Sequence, residues 1–243
     1  MSRFFVPKDS VKGNLIHVSG DEMHHIIDVM RLKTRDKVVT FDGAGNEYIG
    51  VIEDVKARSA IIRIIDTKII SADKTSAITL IQAIPKKEKM DYIVEKSTEM
   101  GVSAIIPVVT ERTIPVWDGP KRAAAAERWR KIAKEASKQC GRRDIPVIEE
   151  VKSFTDISAN ASAYGLALIA ALDDRAVRLK DAIKDCGGSK IAIAIGPEGD
   201  FTPDEITKAV KGGFRLVSLG SHVLKSDTAG LFVIAALNYE FNS

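Results

Sequence analysis

Apolar residues follow two rhythms along this chain, and the change between them falls near residue 75. Before it the apolar runs are short. Phe4-Phe5-Val6 and Val38-Val39-Thr40-Phe41 read as strands, and Tyr48 to Val55 with Ala60 to Ile65 reads as a hairpin turning at Lys56-Ala57-Arg58. Asp42-Gly43-Ala44-Gly45-Asn46 is a turn signal between two of these strands. One helix interrupts them: Met23, Ile26, Ile27 and Met30 recur on one face, with Ser19 and Glu22 spaced as a capping box. This predicts a small β domain, a barrel of short strands, over residues 1–72. The polar stretch Ser71-Ala72-Asp73-Lys74-Thr75 has no periodicity and reads as the linker.

From Ala77 onward strands and helices alternate, which argues for a parallel sheet over residues 73–243. Ile78 to Ile84, Val102 to Val109 and Leu166 to Leu172 read as strands. Lys89 to Met100 reads as a helix with Met90, Ile93, Val94 and Ser97 inward and Gly101 as its C-cap. Lys121 to Cys140 is a long helix ended by Gly141. The last third is the most informative. Ile191 to Ile195 is a β-branched run that breaks at Gly196-Pro197, and Thr202-Pro203-Asp204-Glu205 then opens a helix with a Thr cap, Pro at the first position and Glu at the third. Leu216 to Leu219 repeats the device: Gly220 breaks the strand and Ser226-Asp227-Thr228 starts a helix. Two such junctions place free backbone N–H groups at one edge of a parallel sheet, where α/β folds bind ligands.

Composition narrows the function classes. With 243 residues, 45% hydrophobic and 28% charged, the chain reads as one large or two modest soluble domains. No stretch approaches 18 uninterrupted apolar residues and the start, MSRFFVPKDS, lacks a signal-peptide core, so a cytoplasmic protein without membrane association is expected. Cys140 and Cys186 have neither CxxC spacing nor a histidine cluster, so two reduced structural thiols are expected, with no metal and no disulfide. The net charge of +3 is unevenly spread: residues 121–143 hold nine Lys and Arg against Glu127 and Glu135. Charge alone fits a polyanion-binding face and a solvated helix surface equally well. GxGxxG, GxxxxGK[ST], HExxH and GxSxG are all absent, so the common dinucleotide, P-loop, zinc-protease and hydrolase readings lack their signatures.

The spelling of the two glycine junctions resembles a known family. Gly196-Pro197-Glu198-Gly199 and Leu219-Gly220-Ser221-His222-Val223-Leu224-Lys225-Ser226-Asp227-Thr228-Ala229 resemble the IGPEGG and LGxRILRxETA motifs of the bacterial 16S rRNA uridine-N3 methyltransferases, members of the SPOUT superfamily. Arg3-Phe4-Phe5, His24-His25, Val29-Met30-Arg31 and Phe41-Asp42-Gly43 match that family's PUA-like RNA-binding domain. Gln82, Lys86, Met90, Lys96, Glu99, Gly101-Val102 and Pro107, then Arg128-Trp129, Ala136, Gln139, Arg142 and Pro146, match its middle signatures. The resemblance implies a SPOUT-type parallel sheet with a C-terminal trefoil knot behind a PUA-like barrel, and a homodimer with its cofactor loops near the subunit interface. It also implies S-adenosylmethionine as cofactor and 16S rRNA or the small ribosomal subunit as partner. Four positions depart from the motifs: Asp200 replaces a glycine, His222 and Lys225 replace arginines, and Asp227 replaces a glutamate. Lysine lacks the bidentate fork of arginine, and histidine is cationic only near or below neutral pH.

Residue roles follow from the same resemblance. Cofactor contacts are expected from Leu172, Ile195, Gly196, Pro197, Glu198, Gly199, Leu219, Gly220, Ser221, Val223, Leu224 and Thr228, largely through backbone groups. Methyl transfer from a sulfonium is an in-line displacement that needs positioning and exclusion of water. Uracil N3 also carries a proton that must leave, so a base or cations that stabilise the imide anion are required. Glu198 and Asp227 are the candidate carboxylates, and Lys225 and His222 the candidate cations or proton carriers. Orienting roles are favoured for both carboxylates: Glu198 bonding backbone amides, Asp227 as a charge at a helix N-terminus. Arg3, Arg31, Lys86, Arg112 and Arg142 are the candidate RNA contacts, while His24 and His25 read as packing or capping residues. The expected activity is methylation of a uridine N3 in 16S rRNA. The alternatives are an rRNA-binding assembly factor of the same fold without turnover, and a SPOUT enzyme acting on another base.

Overall fold

The two rhythms of the sequence become two sheets. A computed structural model describes residues 2–56, 59–69, 76–86, 89–114, 118–184, 186–187 and 190–242, so the expected hairpin tip at Ala57-Arg58 and the linker Ser71 to Thr75 lie outside the described residues. Contacts divide the chain into two compact units, residues 1–72 with 134–145, and residues 73–133 with 146–243.

The first unit holds β1 (Arg3–Phe5), β2 (Val11–Lys12), β3 (Leu15–Ser19), β4 (Lys37–Phe41), β5 (Asn46–Lys56) and β6 (Ser59–Ile69), in the order β1-β4-β5-β6-β3-β2. The β1–β4 ladder is parallel and the others antiparallel. Phe4, Ile16, Val18, Val38, Ile52 and Ile62 meet in one core. The sequence reading passed over β3, although buried Ile16 and Val18 alternate there with exposed His17 and Ser19. The Asp42 turn forms as expected: its Oδ1 accepts the N–H groups of Ala44 at 2.9 Å and Asn46 at 3.1 Å.

The expected capping box does not form. Ser19 ends β3 opposite Ser59, the helix α1 (Asp21–His24) is entered through Gly20 at φ +68°, and no side chain caps it. The Glu22 carboxylate instead accepts the Lys138 ammonium at 3.0 Å, from the 134–145 segment of the same unit. Beyond His24 the helix widens into a π turn over His25–Val29, which shifts the side-chain register. Ile26 is therefore buried, but Met30, expected on the same face, is exposed.

The second unit contains β7 (Ala77–Ala83), α2 (Lys89–Glu99), β8 (Ala104–Val109), α3 (Gly119–Cys140, whose last turns count with the first unit), β9 (Val147–Ile148) and β10 (Lys152–Ser153). It continues with α4 (Phe154–Ser158), β11 (Leu166–Ala170), β12 (Val177–Arg178), α5 (Leu179–Ile183), β13 (Lys190–Ile195), α6 (Pro203–Lys211), β14 (Arg215–Ser218) and α7 (Ser226–Phe241). The strands order β10-β8-β7-β13-β11-β14-β12, with β9 also on β8, and every ladder is parallel. Burial on both faces explains the unbroken apolar runs: Ile191 to Ile195 and Ile78 with Leu80 and Ile81 are almost wholly buried. α2 turns Met90, Ile93, Val94 and Ser97 inward, and Gly101 follows it at φ +86°. α6 starts as predicted, with Thr202 and Glu205 exchanging both capping-box bonds and Pro203 at the first position. Strands β13, β11 and β14 are neighbours in the sheet, so the loops that leave their C-terminal ends meet along one edge.

Candidate active site

Three loops line one cavity of about 260 Å³ at that edge. β11 ends at Ala170, so Ala171 and Leu172 belong to the loop rather than the strand, and Leu172 is 69% exposed. Ile195, Gly196, Pro197, Glu198 and Asp200 come from the loop after β13. Leu219, Gly220, His222, Val223, Leu224 and Lys225 come from the loop after β14. Ser226 and Ala229, on the first turn of α7, close the floor. Of the residues expected at a cofactor site, Leu172, Ile195, Gly196, Pro197, Glu198, Leu219, Gly220, Val223 and Leu224 are on the wall. Gly199, Ser221 and Thr228 are not. Sequence reasoning did not place Ala170, Ala171, Asp200, Val217, Ser218, Ser226 or Ala229 on the wall: Asp200 stood out only as a departure from the motif, and the others carry no chemical signature of their own.

The loops are tied together by buried hydrogen bonds. Ser226 Oγ donates to the Gly196 carbonyl at 2.6 Å and accepts from Gln82 Nε2 at 3.0 Å, so β7, the β13 loop and α7 share one relay. Asp200, at φ +60°, accepts the Leu172 N–H at 2.9 Å with one carboxylate oxygen and the Phe201 N–H at 2.7 Å with the other. Arg112 donates to the carbonyls of Gly199 at 2.6 Å and Phe201 at 3.4 Å. Just past Leu172, Arg175 hydrogen-bonds Asp173 and holds its carboxyl down at about 2, so this turn keeps its charge pair at physiological pH.

The candidate catalytic side chains do not all stand alike. Glu198 is on the wall, but its two oxygens accept the Lys86 backbone N–H at 3.1 and 3.3 Å, and the Lys89 ammonium stands 3.5 Å away. Asp227 lies off the wall, 3.8 Å from the same ammonium, and among the described residues its buried Oδ1 has no hydrogen-bond partner. Lys89 thus joins the two carboxylates, a link that no motif announced. His222 and Lys225 line the cavity and are exposed. Among the described residues no group of three metal-ligating side chains occurs, neither cysteine is in a disulfide, and no helix is long and apolar enough to cross a membrane.

The basic residues divide into engaged and open ones. Arg3 pairs with Glu47, donates to the Arg142 carbonyl at 2.6 Å and lies 4.7 Å from the Phe41 ring centre. Arg142 pairs with Asp144, Arg143 with Glu47, and Arg130 with Glu127 and Glu150, so much of the basic stretch is locally neutralised. Arg31 is exposed at φ +53°; Asp28, within its helical reach, is paired with His24 at 2.6 Å. His25 packs its ring edge-on against Phe4, 5.7 Å between centres. The Lys86 side chain is exposed.

Fold and site together define an α/β protein of the SPOUT type with a PUA domain at its N-terminus, its ligand cavity formed by loops at the C-terminal edge of a parallel sheet. The chain belongs to the RNA methyltransferase domain family, whose model matches residues 72–238, and the RNA methyltransferase PUA domain model matches residues 18–65. It is 27% identical to the ribosomal RNA small subunit methyltransferase E of Bacillus subtilis, over 99% of this chain and 97% of that protein. Among solved structures it resembles ribosomal RNA small subunit methyltransferase E of Neisseria gonorrhoeae bound to S-adenosyl methionine, at 29% identity and TM-score 0.88, covering 99% of this chain and 98% of the other. A methyltransferase structure from Legionella pneumophila with bound SAM matches at 30% identity and TM-score 0.87, covering 98% and 97%.

Proposed function

We propose that this chain transfers a methyl group from S-adenosylmethionine to N3 of a uridine in 16S rRNA. The observation that carries the reading is the cavity itself, built by the two glycine-motif loops and walled by Leu172, Ile195, Leu219, Val223 and Leu224. Its chemistry suits a nucleoside cofactor with an amino-acid tail. The wall is mainly apolar, and the backbone N–H groups of Val223 and Leu224 have no partner among the described residues. Free backbone N–H groups on a cavity wall suit a ligand's polar edge. When bound, the cofactor supplies the electrophilic methyl group.

The chain's own residues supply orientation and proton handling. Glu198 is already engaged by Lys86 and Lys89, which favours a loop-ordering and cofactor-orienting role over that of a free base. Lys225 and His222, exposed residues of the cavity wall, suit stabilising an N3 anion and passing its proton to water. In this reading the two motif loops belong to a trefoil knot, and residues 1–72 form the RNA-recognising domain. Arg31 and Lys86, whose side chains are exposed, suit phosphate contacts. Arg3 and Arg112, which bond backbone carbonyls, and Arg142, which pairs with Asp144, serve RNA chiefly by shaping the surface around them. Nucleoside mass spectrometry of 16S rRNA from a strain lacking this chain tests the activity. Loss of 3-methyluridine is expected, loss of another methylated base points to a different target, and unchanged nucleosides favour the assembly-factor reading.

A further inference from the structure

Asp200 is unlike anything else on the cavity wall. It stands where the motif it resembles has glycine, and its backbone keeps the left-handed conformation, φ +60°, that glycine adopts most easily. Aspartate tolerates that region better than most residues, and here its side chain uses it. One oxygen takes the Leu172 N–H from the loop after β11 at 2.9 Å, and the other takes the Phe201 N–H at 2.7 Å. The carboxylate therefore latches two of the three cavity loops to each other. Among the described residues it has no ion-pair partner, whereas the other wall carboxylate, Glu198, faces Lys89. Lys225 and His222, the remaining ionisable groups on the wall, are exposed and screened by water.

A fixed, unpaired negative charge on a mainly apolar wall discriminates by ligand charge. Resting on the methyl-transfer reading, we propose that Asp200 is a specificity-determining residue that makes the cavity bind the sulfonium form of the cofactor in preference to the thioether left after transfer. The donor is cationic at sulfur; when the methyl leaves, the sulfur keeps the electron pair and becomes neutral. The same carboxylate thus attracts the reactant and has nothing comparable to hold in the product, which favours product release. Its two amide bonds fix where the charge sits, as a preorganised group must be fixed.

Calorimetry on the wild type, Asp200→Asn and Asp200→Gly, with S-adenosylmethionine, sinefungin (an amine in place of the sulfonium) and S-adenosylhomocysteine, tests this. Asparagine keeps an oxygen for one amide and tolerates the backbone conformation but removes the charge. It should weaken S-adenosylmethionine and sinefungin by about fivefold, the size of a partly exposed charge interaction, with little change for the thioether. Glycine also removes the latch, so it should weaken all three ligands and, in the ligand-free protein, speed hydrogen exchange at the Leu172 amide. Equal losses for all three ligands in Asp200→Asn, or no loss at all, overturn the inference while leaving the cofactor reading intact. A folded wild type that binds none of the three refutes the cofactor reading and this inference with it.

Discussion

At the residue scale, the two motif glycines are glycine for different reasons. A Cβ on Gly196 would stand 3.0 Å from Asp200 Oδ1 and 3.2 Å from both Asp200 Cα and the Phe201 nitrogen, so the loop itself leaves no room. At Gly220 no atom lies within 4 Å of a built Cβ, but the backbone sits at φ +127°, which side chains avoid. Gly196→Ala should therefore distort the wall and weaken S-adenosylmethionine binding by about tenfold, roughly 1.4 kcal/mol. Gly220→Ala should chiefly cost stability, about 1–3 kcal/mol for a strained backbone position. Calorimetric affinity and urea unfolding on both variants separate the two effects, and a Gly196→Ala protein with unchanged affinity and stability contradicts the packing argument. The motif spelling made both glycines legible as candidates. It could not tell crowding from strain, because that depends on Asp200 and Phe201 folding back over Gly196.

At the scale of elements, the buried relay from Gln82 through Ser226 to the Gly196 carbonyl couples the end of β7, the first turn of α7 and the loop after β13. Gln82 and Ser226 are 0% and 6% exposed, so nothing but protein can replace the bonds. Ser226→Ala leaves the Gly196 carbonyl without its donor while Gln82 Nε2 retains the Ala83 carbonyl at 3.0 Å. The expected loss is about 1–3 kcal/mol of stability, with weaker cofactor binding because the loop is freed. A denaturation midpoint equal to the wild type would show that the relay carries no such load. Strands and helices of this unit were readable from apolar runs and caps, and α6 formed with the predicted capping box. The same reasoning misplaced a capping box at Ser19 and Glu22, because β3 claims Ser19 for its ladder and Lys138 claims Glu22 from more than a hundred residues away. Local spacing is a sound guide only where no distant partner competes for the same side chain.

At the scale of the whole molecule, the last helix raises a question of assembly. α7 exposes Phe232 at 46% and Tyr239 at 81%, and the α2 region that packs on it exposes Tyr92 and Met100. Exposed aromatic side chains clustered on packed helices suit a self-complementary contact. The expected homodimer should sediment at twice the chain mass, and Phe232→Asp with Tyr239→Asp should shift it toward monomer. A monomeric wild type at micromolar concentration contradicts this reading. The sequence by itself determined the parallel sheet, the two glycine junctions and the family, because periodicity and turn chemistry are local and the motifs are contiguous; that residues 134–145 pack with residues 1–72 it did not show. The tertiary structure alone decided that Lys89 links Glu198 to Asp227 and that Asp200 fastens one loop to another. Those relations join residues 28 to 138 positions apart, and strand order, which no local pattern encodes, is what brings them within hydrogen-bond or ion-pair distance.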